Sequence, residues 1–205
     1  MIVRQLEVLV EERSMEEFLR TWLQHVIPNA CAVRIHAFRG KRDLLKQLSN
    51  RLRGYAKWLP PEARIVVVVD RDNDDCRELK ARLETEAANS GLKTRSMAGG
   101  SVWQLANRIA IEELEAWYFG DWAAVQTAYP RVQANVSRKA KFRDPDAIRG
   151  GTWEAFERIL QRSGYFKTGL RKVEAARAIA CHVNPVRNRS RSFRNLHQAI
   201  IEAAS

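Results

Sequence analysis

Three groups of carboxylates in this 205-residue sequence sit where an apolar run gives way to polar residues. They are Glu11-Glu12, the run Asp70-Arg71-Asp72-Asn73-Asp74-Asp75, and Glu112-Glu113 with Glu115. Carboxylates gathered in one place repel one another unless a cation neutralises them, and hard oxygen donors of this kind favour Mg²⁺ or Mn²⁺. Asp70 and Asp72 are two residues apart, so in an extended segment both would point the same way and reach one ion. Glu11 would approach from a neighbouring strand end. Each group also has a plainer reading. Glu11-Glu12 can cover a helix start, Asp72–Asp75 can be a helix-capping loop, and Glu112–Glu115 can be a solvated helix face.

The elements that must position these groups follow from hydrophobic periodicity. Leu6, Val8 and Val10 alternate with polar residues, which predicts a half-buried strand. Ser14 is placed to cap a helix in which Phe18, Leu19, Trp22, Leu23 and Val26 recur at helical spacing until Pro28. Ala32–Phe38 reads as a second strand, and Leu44, Leu45, Leu48 and Leu52 mark a second helix ending near Trp58. Ile65–Val69 is an unbroken apolar run rich in β-branched residues, the pattern of a central parallel strand buried on both faces. A helix from about Cys76 to Ser90 is stopped by Gly91. A short strand is expected near Lys93–Met97, and Ile109-Ala110-Ile111 leads into a helix carrying Leu114, Trp117 and Tyr118.

Strand alternating with helix predicts an α/β fold with a mainly parallel sheet flanked by helices. All three carboxylate groups then lie past the C-terminal ends of strands, where open α/β sheets bind ligands. Residues 1–128 form this α/β unit. Residues 129–205 read as a basic, helical extension packed on it, broken by Pro130, Asp144-Pro145, Gly150-Gly151, Gly164, Gly169 and Pro185.

Charge separates the two parts. Residues 1–128 hold 19 Lys/Arg against 18 Asp/Glu, whereas residues 129–205 hold 16 against 6. An excess confined to one part points to a polyanionic partner, nucleic acid before membrane. Lys167 and Lys172 form one cluster, and Arg187, Arg189, Arg191 and Arg194 another. The Arg forks of RNRSRSFR suit phosphate oxygens and would hold a backbone without reading sequence. A basic surface loop that pairs with the acidic groups is the plainer alternative.

No apolar run approaches the ~20 residues of a membrane span. The opening MIVRQLEVLVEE reads as a strand rather than a signal peptide. The three cysteines Cys31, Cys76 and Cys181 are far apart and form no CxxC pair, which argues against a disulfide framework or structural zinc and for a reducing cytoplasm. The sequence contains no P-loop, no GxGxxG, no HExxH and no nucleophile elbow.

Glu11 after a strand, then a helix, then VVVVDRD closing a later strand resembles the TOPRIM domain of topoisomerases, primases and overcoming-lysogenization-defect nucleases. More specifically, the chain resembles a prokaryotic TOPRIM-like family known only as a domain of unknown function. The matching pieces are VEERSMEEFL (10–19), VVVVDRDNDDCRELK (66–80), RIAIEELEAWYFGD (108–121), FRDPDAIRG (142–150), GYFKTGLRKVEAARAIA (164–180) and NRSRSF (188–193). Two positions depart from the family pattern: Glu12 stands where Gly is usual, and Met15 where an acidic residue is usual.

The resemblance implies a Rossmann-like TOPRIM fold and Mg²⁺- or Mn²⁺-assisted phosphodiester chemistry. Glu11, Asp70 and Asp72 would be the catalytic residues. They would bind the metal together with Asp74, and Glu113 or Glu115 would complete a second metal position. It further implies a nuclease acting on DNA or RNA as an anti-phage defence effector, with an ABC-type ATPase as partner; the sequence leaves the oligomeric state open, a homo-oligomer included. The competing expectation is a non-catalytic module that binds nucleic acid or the ATPase. Phosphotransfer on a small nucleotide is a third class. Primase activity is disfavoured by the lack of a zinc-binding or helicase segment.

Overall fold

The computed structural model describes residues 3–27 and 30–205. Four parallel strands form one sheet: β1 (Gln5–Val10), β2 (Ala32–Ala37), β3 (Ala63–Asp70) and β4 (Leu105–Ala110). Their spatial order is β2-β1-β3-β4. Helices α1 (Arg13–Val26), α2 (Lys41–Trp58) and α3 (Cys76–Asn89) connect or follow the first three strands. After β4 come α4 (Glu115–Gly120), α5 (Trp122–Ala128), α6 (Thr152–Arg162), α7 (Lys172–Ala180) and α8 (Arg191–Ala204), with three short 3₁₀ turns between α5 and α6. The fold is α/β and Rossmann-like, a parallel sheet flanked by helices.

Alternation along β3 divides the core into two layers. Ile65, Val67 and Val69 face α2 and α3, joining Leu44, Leu48, Leu52, Leu79 and Leu83. Val66 and Val68 face the other way and join Phe18, Trp22, Trp117, Phe193 and Leu196. Every residue of β3 is buried, as its unbroken apolar run predicts. The second layer combines residues from Leu6 to Ala203 in one core, so the helices after residue 129 cover a face of the sheet together with α1.

Four sequence expectations are corrected. First, β1 is buried on both faces from Leu6 to Val10, because Glu7 is an interior residue. Its carboxylate meets His36 Nε2 at 2.6 Å and accepts from Tyr55 Oη at 2.9 Å, which offsets the cost of burying it. Second, Ser14 lies inside α1 and does not cap it. Glu12 holds the N-cap position, and the Ser14 hydroxyl donates to the Glu12 carboxylate. Third, residues 93–97 contribute only a single bridge, Thr94 to Leu105. Fourth, β4 starts at Leu105 and ends at Ala110, earlier than the Ile109–Ile111 run suggests. The helix end expected at Pro28 lies outside the described residues; α1 is assigned to Val26.

The order β2-β1-β3-β4 means that the chain leaves β1 toward β2 on one side and toward β3 on the other. The crevice between the ends of β1 and β3 is thus the topological switch point, where ligands of open α/β sheets bind. Register sets its depth: Val10 pairs with Val68, and Asp70 pairs with Ala110. Glu11 and Asp70 therefore end adjacent strands at nearly the same height.

Candidate metal centre and basic annex

Glu11 and Asp70 meet at the switch point. The Asp70 amide donates to Glu11 Oε2 at 3.2 Å, and both residues are buried, at 7% and 4% exposure. Asp70 Oδ1 is buried without a hydrogen-bond partner. Burial, followed by the charge of Asp72, pushes Glu11 up to about 7. Burial and then the charges of Glu11, Glu115 and Glu12 hold Asp70 well above the usual carboxylate range. Two buried carboxylates against each other, one with an orphaned oxygen, are the configuration that a hard cation relieves. The residues present therefore fit Mg²⁺ or Mn²⁺.

Asp72 is oriented differently from the extended reading. Its φ is +49°, in the left-handed region that Asp tolerates better than most residues. The chain turns after Asp70, and the Asp72 carboxylate meets Lys41 Nζ at 2.7 Å. Lys41 also holds Asp74 at 2.8 Å and donates to the Arg71 carbonyl at 2.9 Å. Asp75 is the α3 cap, accepting from the amides of Arg77 and Glu78. Arg71 ties this loop to the end of β4 through Glu112 at 2.7 Å. Among the described residues, no three His, Cys, Asp or Glu side chains already converge as a complete ion-holding group. Asp72 would have to leave Lys41 to join Asp70 on one ion.

The third carboxylate group divides. Glu113 Oε2 accepts from Thr152 Oγ1 at 2.8 Å and from the Trp153 amide at 3.0 Å, so it serves the N-terminus of α6. Glu115 is 2% exposed and raised to about 7, by burial above all and against the opposing pull of Lys172. Of this group, Glu115 is the member whose charge acts on the Asp70 carboxyl.

Three contributors lie outside the residues that the sequence assigns to the metal. Glu12 acts on Glu11, Asp70 and Glu115, although by position it is part of a helix start. Lys41, at the start of α2, holds Asp72 and Asp74. The Tyr118 hydroxyl is buried without a partner in the field of Glu115 and Glu12. The adjacency of Glu11 and Glu12 is the only local signal for the first. For the other two, spacing carries none.

The basic residues are distributed over several tasks. Lys172 does not lie on an open surface. It stands at the start of α7 over the Trp153 ring at 5.1 Å, and Glu115, Glu12, Glu113 and Asp70 hold its pKa up against burial. Lys167 is exposed in the turn between α6 and α7. Arg187 Nε and Nη2 bond the buried Asp121 carboxylate at 2.6 and 2.8 Å. Arg189 donates to the carbonyls of Arg143 and Ser137. Arg191 and Arg194 are exposed along the first turn of α8.

Two of the sequence pieces that are far apart in the chain meet here. Asp146 accepts from Ser190 Oγ at 2.6 Å and from the Ser192 amide at 2.9 Å, fixing the start of α8. Asn188 donates to the Trp117 carbonyl, and Arg189 N to the Gly120 carbonyl at 3.0 Å. A Cβ at Gly120 would overlap the Asn188 amide oxygen, so this close approach requires glycine.

The Arg187–Asp121 pair has a testable consequence. Asp121 is fully buried and also accepts from the Ala124 and Asn184 amides. Arg187→Ala leaves that charge without its cation and is expected to cost about 2–3 kcal/mol, somewhat below a fully buried pair because the Arg is half exposed. Arg194→Ala should stay within about 0.5 kcal/mol of wild type. Urea unfolding of the two variants checks the contrast; equal stability would remove the structural role given to Arg187.

The fold and the carboxylate centre define a parallel α/β protein with an acidic strand-end site and a helical basic annex. A protein-family comparison matches residues 10–201 to a domain of unknown function, DUF4276. The chain belongs to that family, whose match spans both the sheet and the annex. None of the curated proteins and none of the solved structures compared matches it. No helix among the described residues is long and apolar enough to cross a membrane.

Proposed function

We propose that the chain is a Mg²⁺- or Mn²⁺-dependent phosphodiesterase of TOPRIM type acting on nucleic acid. The observation that carries this reading is the buried, unpartnered Asp70 oxygen beside Glu11 at the switch point. Asp70 and Asp72, with Glu11 beside them, would hold the metal; Glu115 is the nearest candidate for a further carboxylate. When bound, the metal supplies charge to polarise a phosphate and stabilise a leaving oxygen.

The chain's own groups do the rest. Glu11, raised to about 7, exchanges a proton near neutral pH, as a general acid or base must. The Asp70 amide orients it through Oε2. Lys172 brings positive charge to the carboxylates, charge that would also favour a phosphate there. The resemblance adds the biological setting: an anti-phage nuclease working in the cytoplasm beside an ABC-type ATPase that this sequence lacks.

A second reading has its own support. Lys41 and Lys172 already bring positive charge to the carboxylates, so an ion-free centre is electrostatically accessible. On that reading the chain is a non-catalytic module that binds nucleic acid or the ATPase.

Calorimetric titration with Mn²⁺ and Mg²⁺ separates the two. Wild type is expected to bind, and the Asp70→Ala/Asp72→Ala double variant to lose binding. Binding by wild type justifies a nuclease screen with and without candidate ATPases. If wild type takes up neither ion, alone or with an oligonucleotide present, the metal-dependent reading falls and the module reading stands.

A further inference from the structure

The open edge of β4 carries a groove outside the acidic centre, floored in part by the Asp146–Ser192 contact that fixes α8. A cleft of about 250 Å³ lies there between α3 and α8, lined by Lys80, Arg108, Ile109, Ile111 and Arg191. It joins a second cleft of about 370 Å³, lined by Arg143, Arg189, Arg191 and Arg194 together with Asp144 and Asp146. Arg191 and Asp146 belong to both, so the two form one continuous track.

The cations of this track lack partners to a degree that needs explanation. Arg108 is partly buried on β4, yet its Nε is buried without a hydrogen-bond partner. Its Nη1 reaches only the carbonyl of the adjacent Asn107, at 3.1 Å. Neighbouring carboxylates are shared with other groups: Glu84 with Lys80 (its Oε2 also lacks a hydrogen-bond partner), Glu202 with Arg95, and Asp146 with Ser190 and the Ser192 amide. Burial pulls the pKa of Arg108 down, with Arg95 adding to the effect and the charges of Glu202 and Glu84 opposing it. Removing a guanidinium from water with no carboxylate bonded to it is costly, and an anion that enters the cleft and accepts from Nε would offset that cost. Arg143, Arg191 and Arg194 have no carboxylate within ion-pair distance among the described residues.

Geometry links the track to the acidic centre. Arg108 lies two residues before Ala110, the register partner of Asp70, hence roughly 7 Å back along the strand. Ile111, which lines the cleft, donates its amide to Ser192 Oγ at 3.4 Å. A chain of phosphates that follows the groove would therefore reach the level of Asp70 at one end.

We infer that the β4-edge groove, centred on Arg108 and Arg191 and continued by Arg143 and Arg194, is a binding track for the phosphates of a nucleic-acid strand. This rests on the proposed phosphodiester function and specifies how its substrate is held: along the sheet edge, by at least two successive phosphates, and without the metal. Lys80, already paired with Glu84, contributes less.

The test is fluorescence anisotropy of a short labelled single-stranded oligonucleotide with the full chain at low salt, in the presence of EDTA. Arg108→Gln and Arg191→Gln should each weaken binding about tenfold and lower the salt slope by about 0.7 for each phosphate that is no longer neutralised. Arg53→Gln on the exposed side of α2 should change neither. Equal loss of affinity in all three variants, or no loss in the two groove variants, would overturn the track. Poly-glutamate bound as tightly as the oligonucleotide, and weakened by the same variants, would also overturn it. Arg191 is exposed, so its variant is expected to fold even if Arg108→Gln does not. Binding without any metal-dependent hydrolysis would end the nuclease reading and leave the track intact. Hydrolysis of a small phosphodiester without oligonucleotide binding would do the reverse.

Discussion

Asp70→Asn is expected to abolish metal-dependent hydrolysis while making the metal-free protein more stable. The loss follows from removing the charge of the residue at the centre of the carboxylate cluster. A fall of at least about 10³ in rate is the scale associated with losing a principal electrostatic contributor. The gain follows from the same burial. Asp70 repels Glu11, Glu115, Glu12 and Asp72, and an amide carries no charge to repel. In thermal melts without divalent cations, the Asp70→Asn variant should melt above wild type at pH 8. Added Mn²⁺ should raise the wild-type midpoint and leave the variant's unchanged.

The pH dependence of wild type tests the same cluster. Glu11 and Glu115 are held at about 7 when folded, against 4.5 ordinarily. A carboxyl raised in the folded state binds more protons there than in the unfolded state, so stability falls as pH rises. The contribution is fully present below about 4.5 and is lost on passing through about 7. For each group this is on the order of 3 kcal/mol. Metal-free wild type should thus be less stable at pH 8 than at pH 5 in urea titrations, and a divalent cation should flatten the difference. A metal-free protein that gains stability over that interval would contradict the burial of these carboxylates.

Removal of residues 129–205 is expected to leave no folded α/β unit. Phe193, Leu196, Ala199, Ile200 and Ala203 of α8 are fully buried in the layer that also holds β1, β3, α1 and α4. Phe193 meets Trp22 at 4.9 Å and Trp117 at 5.4 Å between ring centroids. Without α8 and α7 that face of the sheet would keep only the partial cover of α1, α4 and α5. The single substitution Phe193→Ala isolates part of the effect and should cost about 3–5 kcal/mol. Circular dichroism of the truncated chain and urea unfolding of Phe193→Ala are the measurements. A cooperative unfolding transition in residues 1–128 alone would show that the annex is dispensable to the core.

What the sequence makes legible is whatever depends on neighbours in the chain. Ile65–Val69 names the central strand, and the periodicity of Phe18 to Val26 names the first helix. The coincidence of acidic groups with strand ends locates Glu11 and Asp70 together. What it hides depends on partners far along the chain. Glu7 reads as the polar half of an alternating strand, because His36 and Tyr55 that satisfy it lie 29 and 48 residues away. Asp72 reads as a companion of Asp70, because the left-handed turn and Lys41 have no local signature. Glu113 and Glu115 are indistinguishable until α6 claims one and burial the other. Arg187 looks like its neighbours Arg189 and Arg191, yet it answers the buried Asp121, 66 residues earlier. Position within a run of like charges does not reveal which member has an interior partner.

The coverage of β1 by α8 also bears on how the molecule is made. Strand β1 sits at the centre of the sheet, while α8, one of the helices that shields it, is synthesised long after it. Until residues near Leu196 and Ile200 leave the ribosome, Leu6, Val8, Val66 and Val68 have an incomplete cover. Parallel pairing and closure over such sequence separations are slow, and exposed apolar strands invite association during the delay. Nascent chains stalled short of α8 should therefore recruit chaperones, and yield in cells should fall more steeply with temperature than the stability of the finished protein.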